Sequence, residues 1–323
     1  MCLISTSVNE SEVLIRIDQF IHSICIKEFN PQQFKSELKV LSSLFKTIYQ
    51  VHLKYSTSIN VFRRMVHALD EYLCSPSITS IGDLKEFQLH YLTTIALGAY
   101  RDIQDELILF KRQERDNKNG LEKYIKQLTQ HYSKLLFIRV DLSIALEHQH
   151  GIGIEQFNQY LRTFINRVQN HDTCFKDIQG YVWAIEQGET KGYHCHVLLI
   201  YDGHKHQKDF GMAIQVGQSW SEITANKGYY FTSNSPEYKE QFAQKGTLGV
   251  GMIHRSQPKQ VENAINAAMY LVNPEKDNQH LRAKVVRMRS FGKGQYKIDK
   301  RRGCNVVKLL VAQGFSLCAD YYD

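Results

Sequence analysis

The spacing of apolar residues changes near residue 130, and that change dictates a molecule in two parts. Upstream, apolar side chains recur every three or four positions: Val13, Leu14, Ile17, Phe20, Ile21 and Ile24, then Leu38, Leu41, Leu44, Phe45 and Ile48. The same spacing continues in Val61, Met65, Leu69 and Leu73 and in Phe87, Tyr91, Ile95, Ala99 and Ile103. This is the period of a helix with one buried face. Asn30-Pro31 reads as a helix start and residues 80–83 as a break before a long helix. The charged stretch 111–119 ends in the turn signal Asn119-Gly120.

Downstream the pattern becomes strand-like. Residues 135–142 are a run of branched and aromatic side chains, the composition of a half-buried or buried strand. Residues 154–168 read as an amphipathic helix, 181–186 and 194–201 as strands joined through Gly188 and Gly192, 210–223 as a helix, 229–231 as a short strand and 258–272 as a helix. Strand, helix, strand, strand, helix predicts an α+β fold, an antiparallel sheet with helices on one face. The expected division is a helical region over 1–130, an α+β domain over 131–303 and a tail over 304–323.

Several classes are excluded at this level. No stretch approaches the roughly 18 uncharged apolar residues of a membrane span, and the N-terminus lacks the basic and apolar regions of a signal peptide. The seven cysteines are scattered without a C-x-x-C pair, which fits reduced thiols and predicts a cytoplasmic protein without a membrane partner. A hydrophobic content of 43% with 11% aromatics argues for folded rather than disordered chain, and only five prolines with no Pro/Gly/Ser-rich tract argue against long flexible linkers.

Three His-x-His triplets occur. His148-Gln149-His150 and His204-Lys205-His206 sit in polar, turn-like surroundings and read as solvated loop histidines. His194-Cys195-His196 runs directly into Val197-Leu198-Leu199-Ile200. In a strand His194 and His196 share one face, rooted about 7 Å apart, while Cys195 points to the other. Glu186, at the end of the preceding strand, is brought near them by the turn through Gly188 and Gly192; Glu189, within the turn, is a weaker third ligand. Two imidazoles and a carboxylate suit Mg²⁺, Mn²⁺ or a non-haem metal, with ordinary strand histidines as the competing interpretation.

The run Ala184-Ile185-Glu186-Gln187-Gly188…Gly192-Tyr193-His194-Cys195-His196-Val197-Leu198-Leu199 resembles the metal motif of the HUH endonucleases. The nearer likeness is to the gene-II-type replication proteins of filamentous phages (inoviruses) and their prophage-island relatives. Residues 137–142, Gly217-Gln218-Ser219-Trp220, Gly228-Tyr229-Tyr230, 249–253 and 290–294 agree with it, so the resemblance spans roughly 132–303. It implies an antiparallel HUH palm of the ferredoxin or RRM type, with Mg²⁺ or Mn²⁺ on His194, His196 and Glu186. The implied activity is nicking of single-stranded or origin DNA by a tyrosine, initiating rolling-circle replication of a phage, prophage or related mobile element through a 5′-phosphotyrosine. A host replication helicase or polymerase and a second copy of the chain are partners consistent with that activity.

Within the helix over 258–272, Val261, Ile265, Ala268, Met269 and Val272 gather on one face. Tyr270 falls opposite, with Lys259, Asn263 and Asn266. It also stands where the family keeps its nucleophile, ahead of Tyr229, Tyr230 and Tyr296; a tyrosine packed on another element is the alternative. The family places a lysine three residues after the tyrosine. Here that residue is Asn273, and Lys276 is the displaced counterpart. Arg139 and Asp141 share a strand face, as substrate contacts, as support for the site or as a surface ion pair. A catalytically degenerate DNA-binding regulator with the same fold is the competing function. A metallohydrolase barrel would need more strands than residues 200–303 provide.

The charge is local. The chain carries 40 Lys+Arg against 33 Asp+Glu, a net +7. Residues 282–302 hold nine Lys/Arg and one Asp, an excess of +8, so the remainder nets −1. Arg287, Arg289 and Lys293 are its expected phosphate contacts, with Gly292 and Gly294 allowing close backbone approach.

Overall fold

The computed structural model describes residues 8–26, 30–272 and 279–296. The helical period resolves into α1 (Glu10–Ile26), α2 (Pro31–Ile48), α3 (Thr57–Leu73), α4 (Glu86–Gly98) and α5 (Tyr100–His131). Asn30 caps α2 by accepting from the Gln32 and Gln33 amides, with Pro31 in the first turn. The long helix expected after Asp83 is two, because Ala99 leaves helical geometry at φ −99° and ψ 3°. α5 then runs for 32 residues, straight through Asn119-Gly120. The turn signal fails there because Leu121, Tyr124, Ile125 and Leu128 bury against the sheet. That packing outweighs the ~1 kcal/mol that glycine costs inside a helix.

The sheet is built from β2 (Lys134–Ile144), β3 (Ile178–Gly188), β4 (Gly192–Asp202), β5 (Gly228–Thr232), β6 (Gly251–His254) and β8 (Phe291–Lys293). β1 (Lys54–Tyr55) and β7 (Ala283–Lys284) form a separate two-stranded ribbon. The order is β8-β3-β4-β2, and β5 and β6 share the far edge of β2, β5 along 140–144 and β6 along 134–137. Every pairing is antiparallel.

Helices cover both faces, not one as expected. α6 (Ile154–Gln169) and α7 (Asp209–Ile223) pack on the face bearing Leu136, Leu142, Cys195 and Leu199. α5 and α9 (Pro258–Met269) pack on the face bearing Phe137, Val182, Leu198 and Ile200. The order of elements hides this, because α5 precedes the first long strand and reads as part of the helical region. On the α6 side Phe157, Phe164 and Trp220 are fully enclosed, each aromatic worth about 2–3 kcal/mol of burial. α8 (Pro236–Gln244) buries no residue; Ser235 caps it by accepting from the Tyr238 amide.

The core of α1–α4 is continuous with the α6 face of the sheet, and polar contacts join them at the end of β3 and β4. Glu10 Oε1 accepts from the Ile154 amide at 2.8 Å and from the Tyr193 hydroxyl at 2.9 Å. Gln187 Nε2 donates to the Ser11 carbonyl at 3.1 Å. The buried Asp18 carboxylate receives Arg282 through Nε and Nη2, both at 3.0 Å. No described helix is long and apolar enough to cross a membrane, and the four described cysteines, Cys25, Cys74, Cys174 and Cys195, are all free thiols.

Candidate metal centre and nucleophile

The β3–β4 hairpin turns through residues 189–191, with Gly192 at φ +59°, a conformation glycine adopts without penalty. The register that follows sets Glu186 opposite His194 and Ala184 opposite His196. Cross-strand partners share a face, so Glu186, His194 and His196 point together, all buried, while Cys195 enters the opposite core. Their ligand atoms lie within 4.8 Å of one another. Glu186 Oε2 stands 3.3 Å from His196 Nε2 and 3.5 Å from His194 Nε2.

The arrangement fits a metal ion. At bond lengths of about 2.0–2.1 Å, adjacent ligands around one ion stand about 3.0–3.4 Å apart, close to the spacings found. Each imidazole also has its other nitrogen engaged, the arrangement that fixes the tautomer of a ligating histidine. His194 Nδ1 lies 3.1 Å from the Gly192 carbonyl, and His196 Nδ1 lies 2.7 Å from Asp141 Oδ1. The Asp141 contact has the length of a strong ion pair but not the alignment of an ideal hydrogen bond. Three protein ligands would leave further coordination positions on such an ion open.

Asp141 reaches His196 because β2 pairs with β4 in the register Asp141 to His196 and Ser143 to His194. Burial pushes the Asp141 carboxyl up, but the bond to His196 and the charges of His196 and Arg139 outweigh it and hold it below the usual carboxylate range. For His196 burial pulls downward, and the Asp141 and Glu186 carboxylates outweigh that and raise it above the ordinary imidazole value. Arg139, also buried, places Nε 3.5 Å from Asp141 Oδ1. Its guanidinium carbon lies 5.2 Å from the centre of the Tyr270 ring. Arg139 and Asp141 are therefore not a surface pair; they connect Tyr270 to His196.

Tyr270 is the C-terminal cap of α9, 55% exposed. Lys259 and Asn266 are exposed with it, as the helical wheel predicts, but Asn263 is buried and donates to the Gly246 carbonyl at 2.9 Å. A backbone loop lies over that side of the helix: a Cβ at Gly249 would meet the Asn263 carbonyl at 2.2 Å. Tyr230 packs its ring against Gly217 on the α7 face, and the Tyr296 hydroxyl pairs with His131 at 3.1 Å. Lys276 lies outside the described residues.

The other triplets are bound into the surface. His148 and His150 are exposed on a 3-10 turn, Leu146–Gly151, while Gln149 between them is buried against the Ile144 carbonyl. His206 stands 3.4 Å from Asp177, His204 pairs with Ser133, and Glu189 is taken by Gln19.

The basic stretch is not one exposed patch. Arg282 is buried on Asp18, and burial pulls the Lys284 ammonium below its usual range against the charges of Glu106 and Glu114. The Lys293 ammonium lies 4.9 Å from the centre of the Tyr124 ring, where burial lowers it too. Arg287 and Arg289 are exposed; Lys297, Lys300, Arg301 and Arg302 lie outside the described residues. Gly292 and Gly294 do allow close approach, but to Trp183 and Tyr124, each at 2.5 Å from an added Cβ.

One residue beside the site carried no sequence signal. Glu114, half-buried on α5 within the charged stretch, lines a cavity of about 20 Å³ together with Glu186, Lys284 and Gln279. Burial, with the charge of Glu186 added, raises its carboxyl. Nothing in the spacing of residues 111–119 distinguishes it from its solvated neighbours.

Among family models, one described as the YagK/YfjJ C-terminal domain matches residues 104–294, from the second turn of α5 through β8. No curated protein and no solved structure matches the chain.

Proposed function

The chain belongs to the YagK/YfjJ C-terminal domain family over more than half its length, and from the geometry of the candidate site within that stretch we propose that it is a metal-dependent, tyrosine-nucleophile endonuclease of single-stranded DNA. In this reading it is an HUH enzyme akin to the gene-II-type replication proteins, nicking an origin to start rolling-circle replication. The observation that carries it is the convergence of Glu186, His194 and His196 within 4.8 Å, with Tyr270 joined to them through Arg139 and Asp141.

Mg²⁺ or Mn²⁺ on those three residues would polarise the scissile phosphate and offset the charge that develops on it. Tyr270 Oη attacks phosphorus and loses its proton. The P–O3′ bond breaks, and the departing 3′-oxygen gains a proton to become the hydroxyl that a polymerase extends. The product is a 5′-phosphotyrosine. Arg139, whose guanidinium lies over the Tyr270 ring, would hold that ring and a phosphate oxygen together. Asp141 keeps the His196 imidazole oriented with Nε2 toward Glu186.

Supercoiled plasmid carrying the cognate origin, with Mn²⁺ or Mg²⁺, should yield nicked circles with protein covalently attached. Tyr270→Phe should abolish the adduct. Nicking that survives Tyr270→Phe refutes the nucleophile, and metal-loaded protein that binds the origin without nicking is a regulator.

A further inference from the structure

β5 is an edge strand, and its side chains alternate in an unusual way. Tyr230 turns inward onto α7, where its ring fills the space left by Gly217. Tyr229 and Phe231 turn outward, 58% and 42% exposed. Edge strands ordinarily blunt such positions with charge; exposing two aromatic rings there costs solvation and calls for an occupant.

Register places these rings. Phe231 pairs with Asp141, which pairs with His196; Tyr229 pairs with Ser143, which pairs with His194. Both rings therefore stand on the same sheet face as the Glu186–His194–His196 cluster. They are rooted two strand spacings from the histidines, about 10 Å. The aromatic surface continues onto α8. Phe231 meets Tyr238 edge-on with centroids 5.7 Å apart, and Tyr238 stacks on Phe242 at 4.6 Å. The Lys245 ammonium lies 5.9 Å from the centre of the Phe242 ring at one end, and exposed Lys227 precedes β5 at the other.

We propose that Tyr229 and Phe231, extended by Tyr238 and Phe242, form a stacking platform for the bases of a single-stranded nucleic acid, one or two nucleotides from the phosphate at the metal centre. The proposal rests on the nuclease reading for its substrate. Rings that present flat faces to solvent bind unpaired bases without regard to sequence, and a duplex offers them no free base face. Exposed Glu237 and Glu240 on α8 keep this surface from being strongly basic. Binding here draws on stacking more than on phosphate attraction, so a substantial part survives added salt.

The test uses the full chain in EDTA with fluorescein-labelled oligothymidylate, read by anisotropy. Tyr229→Ala and Phe231→Ala should each weaken binding about five- to a hundredfold, mostly in the part that resists salt. Tyr229→Phe and Phe231→Tyr, which keep the ring faces, should bind as wild type. Unchanged melting temperatures confirm that the exposed rings are not structural. Wild-type affinity in the Tyr229→Ala/Phe231→Ala double variant overturns the platform, as does a double variant that loses only self-association by size-exclusion chromatography. The nuclease reading fails separately: loss of oligothymidylate binding with these rings, in a protein that never nicks its origin, leaves the platform standing.

Discussion

Replacing Asp141 by Asn keeps the shape of the side chain and removes its charge, which makes it a sharp probe of how the candidate metal centre is held. In the wild type Asp141 Oδ1 lies 2.7 Å from His196 Nδ1, with side-chain exposures of 16% and 6%, so solvent screens the pair little. Losing a carboxylate behind a ligating imidazole costs about 10- to 100-fold in metal affinity, or about 1.4–2.7 kcal/mol. A second cost falls on Arg139, whose Nε is 3.5 Å from the same oxygen and whose side chain is 10% exposed. Stranding that cation costs about 1–3 kcal/mol of stability. The two effects separate by measurement. Calorimetric titration with Mn²⁺ reports the affinity loss, and melting of chelated protein reports the stability loss. Ser143→Ala, one row along the same face of β2, should leave Mn²⁺ affinity unchanged. Equal Mn²⁺ affinity in Asp141→Asn and wild type would refute the idea that Asp141 orients a ligand.

Two further expectations concern stability. Asp18→Asn leaves Arg282, 3% exposed, without its counter-charge. A buried cation so stranded costs about 3–5 kcal/mol, visible as a lower urea midpoint; an unchanged midpoint would mean that the pair is immaterial. In chelated protein the His196–Asp141 contact ties stability to pH at both ends. His196 is raised in the fold, so its contribution is fully present below the ordinary imidazole value of about 6.5 and is lost as pH rises through the higher folded value. Asp141 is lowered, so its contribution is present above about 3.9 and is lost as pH falls through the folded value. Chelated protein should therefore melt lower as pH rises past neutrality, and saturating Mn²⁺ should remove that decline. A chelated protein that grows steadily more stable through neutral pH contradicts the assignment.

The parts of the site legible in the chain were those governed by local rules. Strand alternation puts His194 and His196 on one face, and a short turn fixes Glu186 across from them; both follow from neighbouring residues. Asp141 was recognisable only as one of several candidates, because its meeting with His196 depends on a pairing 55 positions apart that no local pattern encodes. The same limit hid the second helical layer. Gly120 looks like a turn until the sheet beneath Leu121 and Tyr124 is in place. Charge counting misled most at residues 282–293, since a cation's count says nothing of its direction. Arg282 faces inward to Asp18 and Lys293 lies along Tyr124, leaving Arg287 and Arg289 in solvent.

The tie between α1 and the hairpin bears on modularity. A chain cut at residue 104, where the family match begins, would lose the Ser11 carbonyl from Gln187, the Glu10 carboxylate from Tyr193 and Asp18 from Arg282. Those three groups flank the candidate metal ligands in sequence or space; each would exchange its protein partner for water, and the apolar sheet face that α1–α4 cover would be laid open beside them. The helical region is thus no interchangeable cassette. A graft of another N-terminal region onto this sheet must bring its own acceptor for Gln187, its own partner for the Tyr193 hydroxyl and its own anion for Arg282, or the hairpin that holds the histidines will fit it poorly.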